Sequence, residues 1–196
     1  DVKASNYESL VQQIKFSIII KILRIIHALA HFQDTESMPR PTQAFIDRSA
    51  LAHNLSVVRK FAQHSRIMAV VKADAYGHGL LQTAQALKSV DGFALLELDA
   101  AVSLRDAGYQ QPILLLEGFF STQELALFEQ YHLSAVIHHH EQVAMLMASK
   151  HSQLNLFLKI NTGMNRLGLL PEKVSAIINQ LRENHYLKNI TLMTHF

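Results

Sequence analysis

Ile67-Met68-Ala69-Val70-Val71-Lys72-Ala73-Asp74-Ala75-Tyr76-Gly77-His78-Gly79 is the stretch on which the reading of this chain turns. A short, continuously apolar run ends in a lysine, and a glycine-rich turn and a helical pattern follow at once. Desolvation at the end of a buried strand disfavours the charged form of a lysine. The same desolvation frees the amine lone pair, which is what an imine-forming lysine needs. The alternative is a lysine whose stem lies along apolar surface while its ammonium reaches water. Tyr76 follows four residues later, near the expected start of the next helix, where N-termini gather phosphate. Its alternative is a half-buried phenol satisfied by water.

Strand and helix patterns alternate on both sides of this stretch. Expected strands are 42–46, 67–71, 92–96, 113–116, 133–137, 154–160 and 189–194; expected helices follow Asp47 or Ser49, then span 80–87, 97–107, 123–131, 141–150 and 171–184. Ser121 or Thr122 is the expected cap of the fourth helix. Short connections between alternating elements point to parallel βαβ units. A doubly wound sheet and a (β/α)₈ barrel both satisfy that pattern. No G-x-G-x-x-G fingerprint follows the strand that ends at Val71, which weighs against the dinucleotide fold. Lys72, Arg166 and His195 each follow a different strand, and barrels assemble their sites that way at the C-terminal face. Counting from Ile67 gives six strands, two fewer than such a barrel holds, so the chain is expected to be a partial barrel with open edges.

The first 37 residues differ in character. Residues 10–32 are dense in isoleucine and leucine, with Lys15, Lys21, Arg24, His27 and His31 near helical spacing. A membrane span is the weakest reading, since Lys21 and Arg24 would each cost about 2.5–3.5 kcal/mol near its centre. Ala28-Leu29-Ala30 suits a signal peptide, but charge breaks its apolar region. A surface-lying amphipathic helix suits the spacing better. The simplest account makes Met38 the natural start, with 1–37 an extension and Pro39 and Pro41 marking the boundary of a domain over 38–196.

Composition sets further bounds. Of 196 residues 49% are apolar and 17% charged, as in a globular protein, and the net charge of +2 does not suggest nucleic acid. Cysteine is absent, which excludes disulfides and thiolate metal sites and suits a cytoplasmic protein. Twelve histidines are mostly scattered; His138, His139 and His140 are consecutive, and regular periodicity would not put them on one face, so no metal ligands are expected.

The wording Ala69-Val70-Val71-Lys72-Ala73-Asp74-Ala75-Tyr76-Gly77-His78-Gly79 resembles the pyridoxal phosphate (PLP) lysine motif of bacterial alanine racemases. Leu158-Lys159-Ile160-Asn161-Thr162-Gly163-Met164-Asn165-Arg166-Leu167-Gly168 resembles a second family segment, and Met193-Thr194-His195-Phe196 a third; the resemblance as a whole covers about Pro41 to Phe196. The resemblance implies a PLP-binding barrel followed by a β-rich domain that is absent here. It implies that Lys72 holds PLP as an imine and then acts as one of two catalytic bases, and that Tyr76 donates to the phosphate. Arg166 would contact the substrate carboxylate and the cofactor's phenolic oxygen. Lys159 would be carbamylated, an anion holding Arg166 in place; its alternative is an ordinary strand lysine. His195 would stand near the cofactor ring and support a later arginine. Many members carry Asp where Asn161 stands, which changes the local charge balance.

The activity so implied is interconversion of L- and D-alanine for peptidoglycan, in a cytoplasmic homodimer. The second base, a tyrosine of the partner's β-rich domain, has no counterpart in these residues, so the fragment alone is expected to be inactive. A broad-specificity amino-acid racemase, a non-catalytic PLP-homeostasis barrel and an inert truncated product are the alternatives. The paired segments around Lys72 and Arg166 favour the racemase over the homeostasis barrel, which does not share the Thr-Gly-Met-x-Arg turn.

Overall fold

The computed structural model describes residues 43–149, 154–182 and 187–195, with the side chains of 187 and 188 left aside. These belong almost entirely to the unit Ile46–Phe196; the preceding unit, Asp1–Phe45, lies nearly all outside them. The amphipathic-helix reading of 10–32 and the boundary at Met38 therefore fall outside the described residues.

Six strands form one sheet in chain order: β1 Met68–Val70, β2 Gly92–Leu95, β3 Ile113–Leu115, β4 Leu133–Ile137, β5 Leu154–Lys159 and β6 Leu187–Met193. Every neighbouring pair is parallel. Helices α1 Arg48–Phe61, α2 Leu80–Ala86, α3 Leu98–Asp106, α4 Leu125–Gln130, α5 His140–Ala148 and α6 Pro171–Arg182 occupy the connections. Order 1-2-3-4-5-6 with no reversal has no switch point, which separates this sheet from the doubly wound alternative and gives the barrel-type α/β arrangement.

β2, β3 and β4 are short and buried throughout, because both their faces are covered. On one face Phe93, Leu95, Ile113, Leu115, Ala135, Ile137, Leu156 and Leu158 pack against Leu104, Phe128, Val143 and Leu146 of the helices. Phe119 and Phe128 meet edge to face at 5.9 Å, and Phe93 and Tyr109 at 5.4 Å. The other face is a smaller cluster of Ala94, Leu114 and Val136, joined by Met68, Phe157 and Met193. Among the described residues β1 and β6 are the sheet's edges, and there Val70 and Leu192 stay 43% and 58% exposed. The expected open edges are thus present.

Two local expectations are corrected. Residues 43–47 form no strand: Phe45 is 88% exposed, and Asp47 instead caps α1 by accepting from the Ser49 and Ala50 amides at 2.8 and 3.1 Å. Neither Ser121 nor Thr122 caps α4; the Glu124 carboxylate reaches back to the Phe120 amide at 3.1 Å and the Ser121 hydroxyl at 3.3 Å.

Beneath the sheet, the Arg105 guanidinium gathers four carbonyls: Tyr131 at 2.8 Å, Tyr109 at 2.7 Å, Gln111 at 2.8 Å and His132 at 3.0 Å. It closes the loops leading into β3 and β4 with a donor fork that an ammonium cannot reproduce. Arg105→Lys should cost about 2–3 kcal/mol, read as a lower denaturant midpoint; an unchanged midpoint contradicts this role.

Candidate functional site

Because all strands are parallel, their C-terminal ends share one rim, and the side chains singled out from the sequence lie on it. Val71, 1% exposed, donates to the Ala94 carbonyl at 2.8 Å and ends the apolar run. Lys72 follows, half-buried. Residues 73–76 then wind the wrong way: φ is 51°, 51°, 54° and 57° at Ala73, Asp74, Ala75 and Tyr76, with ψ between 36° and 55°. This is a left-handed turn built without glycine, intrinsically costing roughly 1–2 kcal/mol per residue. This turn carries Tyr76, and the helix then begins at Leu80, where the sequence pattern placed it.

Several contacts hold the turn. Ala75 is buried and donates to the Val71 carbonyl at 3.0 Å; Gly79 donates to the Asp74 carbonyl at 3.0 Å. The Asp74 carboxylate accepts from the Leu80 amide at 2.7 Å, occupying the entry to α2. Backbone strain concentrated in this way marks a position that the surroundings over-determine. Its product is a meeting of two side chains: Lys72 Nζ stands 6.0 Å from the centre of the Tyr76 ring. Ala73 is exposed and contributes only strain. Ala73→Gly should therefore raise stability by about 0.5–1 kcal/mol, seen in the urea midpoint; a fall would mean that the left-handed turn is misassigned.

The second group lies after β5 and β6. Lys159 ends β5 and is only 7% exposed. Burial, and then the Arg166 charge, hold its amine below the ordinary lysine pKa. The following loop folds back so that Leu169 donates to the Lys159 carbonyl and Asn161 to the Leu169 carbonyl, each at 2.9 Å. Asn161 organises it: its Oδ1 accepts from the amides of Gly163 and Asn165 at 3.1 and 3.0 Å, and its Nδ2 donates to Asn165 Oδ1 at 2.9 Å. An aspartate could make the first two bonds and not the third, so Asn161 is matched to Asn165. Thr162 hydrogen-bonds Thr194, tying this loop to the segment that carries His195.

Lys159, Arg166 and His195 consequently line one groove, with Asn161, Thr162 and Met164. Among the described residues neither Lys159 nor Arg166 is ion-paired, so the groove presents positive charge to an anion. Lys72 and Tyr76 lie on the same rim after the opposite edge strand and do not line this groove. The loop-organising role of Asn161 and the Thr162–Thr194 tie went unrecognised from sequence; an Asn followed by Thr-Gly is a turn signal that points to the first of them.

Next to this group His138 is half-buried, its Nε2 3.2 Å from the Glu117 carbonyl, and burial lowers its pKa. The expectation from periodicity for its neighbours is corrected: the rings of His139 and His140 lie 4.0 Å apart. The chain passes from extended to helical between them, and the alternation rule does not cross that junction.

Residues 46–196 match the family described as alanine racemase, N-terminal domain. Curated relatives named alanine racemase include those of Nitrosomonas europaea, 60% identical, and Nitrosomonas eutropha, 59% identical, each over 160 residues. Those alignments cover 81% of this chain and 44% of each relative. Among solved structures, the biosynthetic alanine racemase of Pseudomonas aeruginosa superposes with a TM-score of 0.74 at 38% identity, covering 77% of this chain and 43% of that one. A histidine racemase from Leuconostoc mesenteroides superposes at 0.68 with 31% identity, covering 76% of this chain and 41% of its own. The chain thus spans under half the length of the relatives it matches, and it belongs to the alanine racemase N-terminal domain family.

Proposed function

We propose that residues 38–196 are the PLP-binding portion of a racemase that interconverts L- and D-alanine. The observation that carries this reading is the placement on one rim of an amine beside a phenol, Lys72 and Tyr76, and of a groove that gathers Lys159, Arg166 and His195. That donor set fits PLP, an aromatic aldehyde bearing a phosphate. Gly77 leaves open space next to Tyr76, where an added Cβ would meet nothing within 4 Å.

In this assignment the Lys72 amine would hold the cofactor's aldehyde and would take or return the substrate α-proton on its own side. Bound PLP supplies an electron-withdrawing ring that stabilises negative charge at the α-carbon. Tyr76 donates its hydroxyl to the phosphate. Arg166 offers its planar fork to the substrate carboxylate and the cofactor's phenolic oxygen. His195, in the same groove as Arg166, would lie beside the bound cofactor. A second base would be needed on the other face of the α-carbon, and the family resemblance assigns it to a tyrosine of a partner subunit in a homodimer.

Lys159 is assigned as a carbamate. Its buried amine, held below the usual lysine range, adds CO₂ and loses one proton, and the resulting anion answers the Arg166 charge. Under ¹³C-bicarbonate a carbamate carbon signal should appear and vanish in Lys159→Ala; no signal in the parent protein removes this assignment.

Alanine is the proposed substrate, with D-alanine destined for peptidoglycan, and the compartment is the cytoplasm; among the described residues no helix is long and apolar enough to cross a membrane. The likeness to a histidine racemase supports a second reading with a bulkier substrate. The full-length protein supplied with PLP should convert L-alanine into D-alanine faster than it converts L-histidine. Faster turnover of histidine selects the second reading, and turnover of neither rejects both.

A further inference from the structure

The junction between β4 and α5 is His138-His139-His140-Glu141. His139 is the N-cap of α5, extended at φ −139° and ψ 150°, and its ring accepts from the Glu141 amide at 3.4 Å. His140 opens the helix, and the change of backbone direction brings its ring to 4.0 Å from that of His139, tilted by 43°. The Glu141 carboxylate reaches His139 Nδ1 at 3.8 Å. One donor atom from each of these three side chains lies within 4.8 Å of the other two, and all three are exposed.

The backbone beneath them is fixed. Gln142 is 4% exposed and uses both ends of its amide: Oε1 accepts from the amides of His138 at 2.9 Å and His139 at 3.3 Å, and Nε2 donates to the carbonyls of Glu117 at 2.8 Å and Phe119 at 3.2 Å. The three donors therefore stand on a base tied to the neighbouring loop.

We propose that His139, His140 and Glu141 form a binding site for a divalent transition-metal ion of the zinc class, with water completing the coordination. Two imidazoles and one carboxylate suit Zn²⁺, Ni²⁺ or Cu²⁺, whereas Mg²⁺ and Ca²⁺ take oxygen donors. The positive end of α5 opposes a cation, and the Glu141 charge answers it. An exposed site with three protein donors should bind more weakly than a closed structural zinc site. It lies just past the end of β4, next in the sheet to β5 and Lys159, and so on the rim that carries the proposed chemistry.

Calorimetric titration of the full chain with zinc chloride, and separately with magnesium chloride, tests this. One zinc site per chain is expected, and no magnesium heat. His139→Asn retains a good helix cap and, like His140→Gln, should weaken zinc binding at least about tenfold with unchanged far-ultraviolet circular dichroism. If either variant misfolds, the surface change Glu141→Gln serves instead and should weaken zinc severalfold. No zinc binding by the parent chain, or undiminished binding by the folded variants, overturns the proposal.

Discussion

Lys72→Ala is expected to abolish both cofactor attachment and racemisation in the full-length protein. The side chain carries two duties in the proposed mechanism, the covalent hold on PLP and the movement of a proton at the substrate α-carbon. Loss of a positioned proton-transfer group alone costs roughly 10²–10⁴ in rate, and loss of the attachment adds to it. Lys72→Arg should fail as completely, since a guanidinium keeps the charge but does not give up its proton to become a nucleophile. The check is the visible absorption of the PLP-loaded protein together with D-alanine production. Either variant retaining colour and turnover would falsify the assignment of Lys72. Tyr76→Phe provides the comparison: it removes only the hydroxyl, so PLP should bind more weakly while the colour of the loaded protein persists.

Gly118→Ala should be the most destabilising of the small substitutions. The residue sits at φ +70°, where an ordinary side chain is strained, and an added Cβ would come to 2.2 Å from the Val136 carbonyl oxygen and 2.8 Å from Gln142 Nε2. Backbone at 2.2 Å cannot yield as a flexible side chain would, so the loop must move and release the Gln142 amide from its carbonyls. Strain, overpacking and a lost buried hydrogen bond together cost about 4 kcal/mol, a fall in melting temperature of roughly 8–16 °C for a domain of this size. Gly108→Ala separates the contributions. Its φ is +88° but nothing lies within 4 Å of the added Cβ, so only the conformational cost of about 1 kcal/mol applies. Equal losses in the two variants would show that the close approach at Gly118 has been misjudged.

Much of the architecture was legible because a parallel sheet writes itself plainly. Leu133-Ser134-Ala135-Val136-Ile137 is buried on both faces and reads as one short run between a helix and a turn. The reading of 42–46 as a strand failed for the opposite reason. Thr42-Gln43-Ala44-Phe45-Ile46 has β-like composition, yet propensity alone holds no strand without a neighbour to pair with, and Phe45 stays in solvent. The handedness at Ala73–Tyr76 was not legible at all. None of the four is glycine, and two alanines favour a right-handed helix. Only the burial of Val71 and Ala75 and the Asp74 contacts select the left-handed turn, and those are tertiary facts.

The site divides in the same way. Strand ends pointed to Lys72, Arg166 and His195, and the family segment to Lys159; the structure gathers Lys159, Arg166 and His195 in one groove and leaves Lys72 after the opposite edge strand. The bond from Thr162 to Thr194 joins residues 32 apart in sequence, which no local pattern announces. His139 and His140 escaped because the face rule assumes regular geometry, and the chain changes geometry between them.

The central claim is that the amine of Lys72 bonds to PLP at the C-terminal rim of the sheet. Borohydride reduction of the PLP-loaded, full-length protein makes that link permanent, and digestion with mass spectrometry then locates it. The account predicts a pyridoxyl-phosphate mass increment on the peptide containing Lys72, with Lys159 free of it. An increment on another lysine, or on none, contradicts the account.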